Sequence, residues 1–156
     1  TGHCGFKNGR PRIQEPSAGA RARIKLTLIS MSENEIFNSF KKSLTRLEEI
    51  LQEEKTMTVR DAAIKRFELT VELAWKSIQQ FLRKQNIICR SPKECLSEAF
   101  KFGLIADNPA WLKMMADRNE TVHTYNEETA EKIYNNLPDY LAPLGALKET
   151  LEKQAL

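Results

Sequence analysis

Long apolar runs are missing from this sequence, and cysteine, histidine and glycine are scarce. Its 156 residues include three cysteines, two histidines and six glycines. No stretch has enough consecutive apolar residues to cross a bilayer or to form the core of a signal peptide. The sequence contains neither a glycine-rich phosphate loop nor a spaced set of metal ligands. We therefore expect no membrane association, no metal site and no bound cofactor.

The three cysteines give little support to a metal site. Cys4, Cys89 and Cys95 are odd in number and do not form a CxxC pair, and only His3 and His123 could join them as ligands. A zinc site is therefore not expected. Reduced thiols in a cytosolic protein are the simpler interpretation, which predicts a cytoplasmic location.

The net charge of +3 is unevenly distributed along the chain. Residues 1–30 carry six basic side chains against the single acid Glu15, so residues 31–156 carry a net charge of −2. We interpret residues 1–30 as a poorly structured tail that is non-native or upstream sequence, and residues 31–156 as one domain. The alternative is a native basic arm that contacts RNA.

Helical signals dominate the rest of the chain. Capping boxes at residues 32–35 and 91–94 and the segment at residues 58–61 predict three helix starts, and Gly103 predicts the end of the third helix. A further helix is expected after Asp107, and Pro138 is expected to break the one that follows. The apolar stripes at helical spacing are Ile36, Phe40, Leu44, Leu47 and Leu51; Ala63, Phe67, Val71, Ala74, Ile78 and Leu82; Trp111, Met114 and Met115; and Tyr140, Leu144, Leu147 and Leu151. This pattern predicts an all-α, up-down bundle of four to five helices.

The segment with the most chemical content is the octet at residues 118–125, RNETVHTY. Arg118 can bind a phosphate as a fixed-charge fork, His123 can move a proton near neutral pH, and Tyr125 offers a hydroxyl. On a continuous helix, these side chains and Asn119 would share one broad polar arc, with Asn119 orienting His123 across one turn. Such an arc suits a polar cleft or a subunit interface better than a core.

A purely structural interpretation of the octet is also open. Arg118 could pair with Asp117 or Glu120, His123 could interact with a helix C-terminus, and Tyr125 could be a core residue.

A second polar row lies on the long helix expected over residues 58–86. Glu68, Glu72 and Lys76 are spaced four residues apart, which indicates an exposed, ion-paired face. Glu72 and Lys76 could equally contact a partner or a substrate. Trp75 lies beside the apolar stripe and is expected to pack.

The octet resembles the RxxxxHxY signature of the HEPN superfamily. Three longer segments, FELTVELAWKSIQQFL (67–82), SPKECLSEAFKFGLI (91–105) and NPAWLKMMADRNETVHTYNEETAEKIY (108–134), resemble its nucleotidyltransferase substrate-binding protein family. The resemblance extends over about residues 33–155. It is most similar to the toxin of the two-gene modules that pair a HEPN protein with a minimal nucleotidyltransferase.

The resemblance implies a dimeric helical bundle with the motif at the interface, acting as a metal-independent ribonuclease. His123 would be the general base or acid, Arg118 would hold the scissile phosphate, and Asn119 would orient His123 or the phosphate. Tyr125 would be the residue to which a separate nucleotidyltransferase adds AMP, silencing the toxin, or it would stack on a base.

Two other functions remain open at this point. The chain could be a non-catalytic subunit that binds a substrate and completes the active site of a separate nucleotidyltransferase, similar to the helical domain of kanamycin nucleotidyltransferase. It could also be a helical adaptor without a site, which would leave the polar octet unexplained. The chain is not expected to transfer nucleotides itself, because the GS-plus-DxD signature of that chemistry is absent from the sequence.

Overall fold

The protein folds as an α-helical bundle. A computed structural model describes residues 33–154, in which five α-helices and one short 3₁₀ turn are the regular elements. They are α1 (Glu33–Ile50), α2 (Met57–Lys84), α3 (Pro92–Phe102), α4 (Ala110–Glu120), the 3₁₀ turn (Thr121–His123) and α5 (Glu127–Gln154). The predicted all-α bundle is thus confirmed, whereas the expectations for the tail at residues 1–30 and for a cap at Ser32 lie outside the described residues. Within residues 33–154, none of the helices contains an apolar stretch that could span a bilayer.

Helix α2 is the centre of the bundle, because it contacts each of the other four helices. Its predicted apolar stripe is confirmed, since all six side chains from Ala63 to Leu82 are buried. The helix begins at Met57, one position before the predicted opening residue Thr58, because Thr56 is the N-cap and its hydroxyl accepts a hydrogen bond from the Val59 N–H. Burial of these side chains makes α2 a rigid support for groups on its outer face.

The predicted boundaries of α3 are also confirmed. The Ser91 hydroxyl caps the Glu94 N–H, and Gly103 ends the helix with a positive φ of 86°, a conformation that favours glycine. Just before α3, Cys89 is joined to Cys95 by a disulfide bond. The expectation of reduced thiols is therefore wrong for this pair: the folded chain brings their Cα atoms to 5.1 Å, within disulfide range. The cysteines consequently give no support to a cytosolic location.

Helix α5 continues through both of its prolines, so the predicted break at Pro138 is wrong. A proline inside a helix removes one backbone hydrogen bond and crowds the preceding turn. Burial offsets that cost here, because Leu137 and Tyr140 are fully buried on either side of Pro138, and Pro143 is itself buried. The Tyr140 ring stacks on Phe67 of α2 with ring centroids 5.5 Å apart, which fixes α5 against the central helix.

Candidate functional site

The octet does not lie on one helix. Arg118, Asn119 and Glu120 end α4, residues 121–123 form the 3₁₀ turn, and Thr124 and Tyr125 lie in a turn before α5. The expected helical arc is therefore wrong beyond Glu120. Threonine hydroxyls explain the change, because Thr121 donates to the Arg118 carbonyl at 2.7 Å and Thr124 donates to the Thr121 carbonyl at 3.1 Å. Such local side-chain bonds compete with the regular helical pattern.

Arg118 is anchored on α2 by Glu72. Its Nη2 lies 2.7 Å from Glu72 Oε2, and the Arg118 side chain is one-third exposed. The structural alternative of a pair with Asp117 or Glu120 is wrong, because Asp117 faces α5 instead. The Arg118 Nε is buried and has no hydrogen-bond partner among the described residues. Arg118 is thus held by Glu72 on one side while a third of its side chain stays exposed, which suits the exposed part of the guanidinium group to bind an anionic oxygen.

The Glu72 carboxylate contacts three donor side chains. Besides Arg118, it accepts a hydrogen bond from Trp75 Nε1 at 3.0 Å and pairs with Lys76 Nζ at 3.2 Å. Partial burial pulls the pKa of Glu72 upward, but the hydrogen bonds from Trp75 and Lys76 and the charges of Lys76 and Arg118 outweigh it, so the pKa is lowered. Glu72 is therefore ionised at neutral pH. The predicted Glu72–Lys76 pair is confirmed, and Glu72 also connects that row to the octet.

His123 and Tyr125 form a second, exposed pair. The Tyr125 hydroxyl lies 3.5 Å from His123 Nδ1, and the two rings meet edge to face with centroids 5.9 Å apart. Tyr125 is 84% exposed, so the alternative of a core role is wrong. Asn119 is exposed as well, and in the described part of the chain no hydrogen bond joins it to His123. The change from α-helix to 3₁₀ turn explains this, since the i,i+4 geometry is lost.

Two ion and hydrogen-bond networks hold the octet at its ends. At its start, the buried carboxylate of Asp117 accepts hydrogen bonds from Tyr140 Oη at 2.5 Å and Asn136 Nδ2 at 2.9 Å. Burial and the bond to Asp117 raise the pKa of Tyr140, so this hydroxyl stays protonated. The α4 helix is thereby tied to α5 one residue before Arg118.

At the end of the octet, the buried guanidinium of Arg60 binds the first turns of α5. Its Nη1 lies 2.6 Å from Glu127 Oε2 and 3.1 Å from Glu131 Oε1, and its Nε lies 3.0 Å from Asp61 Oδ1. Hydrogen bonding to Arg60 lowers the pKa of Glu127. Sequence reasoning missed Arg60, although it falls three residues before Ala63 on the core stripe, where a cation requires a carboxylate partner.

Comparisons with known proteins assign the family. Residues 35–153 match the family described as nucleotidyltransferase substrate binding protein like. The chain belongs to this family. It is 33% identical over 102 residues to the probable ribonuclease HepT of Haemophilus influenzae, a match that covers 62% of this chain and 70% of that protein. The resemblance inferred from the sequence is therefore confirmed.

Two solved structures share the fold. A protein from Thermus thermophilus is 40% identical with a TM-score of 0.68, over 72% of this chain and 98% of that one. A second, from Haemophilus influenzae, is 28% identical with a TM-score of 0.59, over 77% of this chain and 96% of that one. The latter is described as revealing the fold of a substrate binding domain of a nucleotidyltransferase.

Proposed function

We propose that this chain is a ribonuclease toxin of the HEPN type, neutralised by a separate nucleotidyltransferase. The observation that carries the proposal is that Arg118 is anchored by Glu72 yet one-third exposed, on the same short segment as the exposed His123–Tyr125 pair. An anchored, partly exposed guanidinium can hold a phosphate, and an exposed imidazole can reach a ribose. The similarity to a probable ribonuclease supports the same conclusion.

The chemistry assigned to the octet is transesterification within RNA. The 2′-hydroxyl attacks the adjacent phosphorus, its proton passes to neutral His123, and the bond from phosphorus to the 5′ oxygen breaks. That oxygen takes a proton from water or from the His123 of a second copy, which leaves a 2′,3′-cyclic phosphate and a 5′-hydroxyl. Because Nδ1 of His123 faces Tyr125, Nε2 is the nitrogen left to face the ribose. Arg118 stabilises the negative charge that develops on the phosphate oxygens. Asn119 follows Arg118 in the octet and is exposed, so its amide could also contact these oxygens.

The test of the nuclease uses the full chain, purified without a partner and incubated with total RNA in excess EDTA. We expect cleavage with cyclic-phosphate ends, and its loss in the Arg118→Ala/His123→Ala variant. The matched control is Arg83→Ala/Asn135→Ala, which removes a cation and a polar group from exposed positions outside the site. Undiminished cleavage by the Arg118/His123 variant would show that the assigned residues are wrong.

Tyr125 is the proposed target of the nucleotidyltransferase. Its hydroxyl is accessible in the folded chain, so it can attack the α-phosphate of ATP, lose its proton and release pyrophosphate. The added AMP would place a negative charge beside Arg118 and His123 and block RNA. Incubation with the partner and ATP is expected to add the mass of one AMP to the parent. Tyr125→Phe, which keeps the ring, should gain nothing, and AMP on that variant would exclude this site.

Partners follow from the same surface. Val122, four residues after Arg118, is 72% exposed, and an exposed apolar side chain close to a polar site is typical of interfaces. We propose that two copies meet at this surface, which would provide the second His123 for the leaving oxygen. An RNA substrate would place the activity in the cytoplasm.

A second candidate is a non-catalytic substrate-binding subunit. The specific observation in its favour is the description of the Haemophilus influenzae structure as a nucleotidyltransferase substrate-binding domain. In that case the anchored Arg118, with Lys76 beside it, would hold a nucleotide or acceptor for the partner enzyme. Absence of RNA cleavage by protein whose Tyr125 is shown by intact mass to be unmodified would favour this function over the nuclease.

A further inference from the structure

Basic side chains form a continuous surface that leads away from Arg118. They come from α1, α2 and α5, so their proximity is a product of the fold and not of sequence spacing. We define the basic tract as Lys65, Arg66, Arg46, Lys41, Lys42 and Lys148, extending from the cleft at Arg118.

The first part of the tract is the cleft that contains Arg118. Lys65, Arg66 and Leu69 line it together with Glu72, which already pairs with Arg118. Glu68 completes the lining and pairs with Lys65 at 3.4 Å, although the Lys65 side chain remains 78% exposed. The cleft therefore offers cations close to an exposed apolar side chain.

A direct contact joins this cleft to the neighbouring helix. Arg66 Nη1 donates a hydrogen bond to the Arg46 carbonyl oxygen at 2.7 Å. Arg46 belongs to the lining of the next depression, between α1 and α5. The contact uses the backbone carbonyl of Arg46, so the exposed Arg46 side chain takes no part in it.

The second part of the tract is this depression between α1 and α5. Four cations line it against two carboxylates, Glu49 and Glu152. Among the described residues, only one ion pair in the depression is close to contact range, Lys41 with Glu152 at 3.8 Å. The result is local positive charge on a domain whose residues 31–156 carry a net charge of −2.

We propose that the basic tract binds the sugar-phosphate backbone of single-stranded RNA and leads it to Arg118, an inference that rests on the proposed nuclease function. Its length argues for a polymer. The six steps along α2 from Arg66 to Glu72 span about 9 Å, and packed helix axes are about 8–10 Å apart. One phosphate cannot contact both ends, whereas a strand of several nucleotides can. A positively charged groove that follows the sugar-phosphate backbone is the usual electrostatic component of a single-strand binding site.

The test measures binding separately from cleavage. The probe is a fluorescent oligoribonucleotide of about 12 residues, within the usual range of single-strand sites, and it carries 2′-O-methyl groups, which remove the attacking hydroxyl. Fluorescence anisotropy of the full chain is followed as a function of salt. The tract variant is Lys42→Gln/Arg46→Gln/Lys148→Gln, three changes at positions whose side chains make no hydrogen bond within the described part of the chain.

The expected effect follows from counterion release. Each lost phosphate contact lowers the salt slope of log Kd by about 0.7 for a single strand, so three contacts lower it by about 2. Affinity at about 0.1 M salt should fall by up to roughly a hundredfold. The control Arg83→Gln/Arg90→Gln/Lys93→Gln removes the same charge from exposed positions elsewhere and should bind like the parent.

Each outcome decides a separate question. Equal binding by parent and tract variant, or no binding by the parent, overturns the proposal that the basic tract binds RNA. Parent-like binding by Lys42→Arg/Lys148→Arg, in which Arg46 is unchanged, supports a charge effect, because these substitutions keep each positive charge and change only the side chain that carries it. Tract-dependent binding without cleavage of ordinary RNA, by parent protein whose Tyr125 is shown by intact mass to be unmodified, would refute the nuclease and leave the binding site standing.

Discussion

The anchoring of Arg118 by Glu72 can be measured as a coupling free energy. The perturbation is a double-mutant cycle that combines Arg118→Ala and Glu72→Ala, with unfolding in urea followed by far-ultraviolet circular dichroism. Protein concentration must be equal throughout, because dimerisation would add to the apparent stability.

The structure sets the expected magnitude. Exposed ion pairs contribute about 0.2–1 kcal/mol, whereas hydrogen bonds to charged groups contribute about 1.5–3 kcal/mol. The Arg118 and Glu72 side chains are 33% and 28% exposed, and one nitrogen of the guanidinium makes the 2.7 Å contact. A single contact at this exposure places the coupling near the upper end of the exposed range, at about 1 kcal/mol, and it should decrease with added salt.

A second cycle at Lys65 and Glu68 is the matched control. That pair lies on the same helix, is separated by 3.4 Å and is more exposed, so its coupling should be no more than about 0.5 kcal/mol. A coupling between Arg118 and Glu72 within about 0.3 kcal/mol of zero would refute the conclusion that Glu72 anchors the arginine.

Three further predictions concern stability. The pKa of Glu72 is lowered from its ordinary value near 4.5, so its ionised form stabilises the fold above that pH. Glu72→Gln should therefore have a lower free energy of unfolding than the parent at pH 7. Urea titrations at a series of pH values should show this difference shrinking as the pH falls below 4.5. Tyr140→Phe removes one hydrogen bond to buried Asp117 and should lower the free energy of unfolding by about 1.5–3 kcal/mol, whereas a change below about 0.5 kcal/mol would contradict the contact. Cys89→Ser/Cys95→Ser opens a short loop and should cost about 2 kcal/mol, and mass analysis of the unreduced parent checks that the bond forms.

The sequence predicted the helices well where capping and periodicity agree. The buried stripe from Ala63 to Leu82 and the α3 boundaries at Ser91 and Gly103 followed from local signals alone. It predicted α5 poorly, because the penalty of Pro138 is local whereas the burial of Leu137 and Tyr140 that offsets it is tertiary.

The site was predictable in its residue types but not in its geometry. The octet identified Arg118, His123 and Tyr125, yet their arrangement depends on threonine hydroxyls that end the α-helix. These hydroxyls compete with the helical backbone hydrogen bonds, and the spacing of apolar residues gives no sign of that competition. The partner of Arg118 could not be chosen from the sequence, because Glu120 and Asp117 are nearer along the chain than Glu72. Spatial proximity on α2 decides in favour of Glu72.

The distance along the chain between Glu72 and Arg118 has a consequence for how the site is assembled. Their contact joins residues 46 positions apart, whereas His123 and Tyr125 are two positions apart. The histidine–tyrosine pair is therefore set by a few local dihedral angles, but the arginine takes its place only after α2 and α4 have docked. Closing the long loop between them carries an entropic cost that the local pair does not bear. Any condition that loosens helix docking without melting α4 should release the arginine first, so the phosphate-binding half of the site depends most strongly on complete folding.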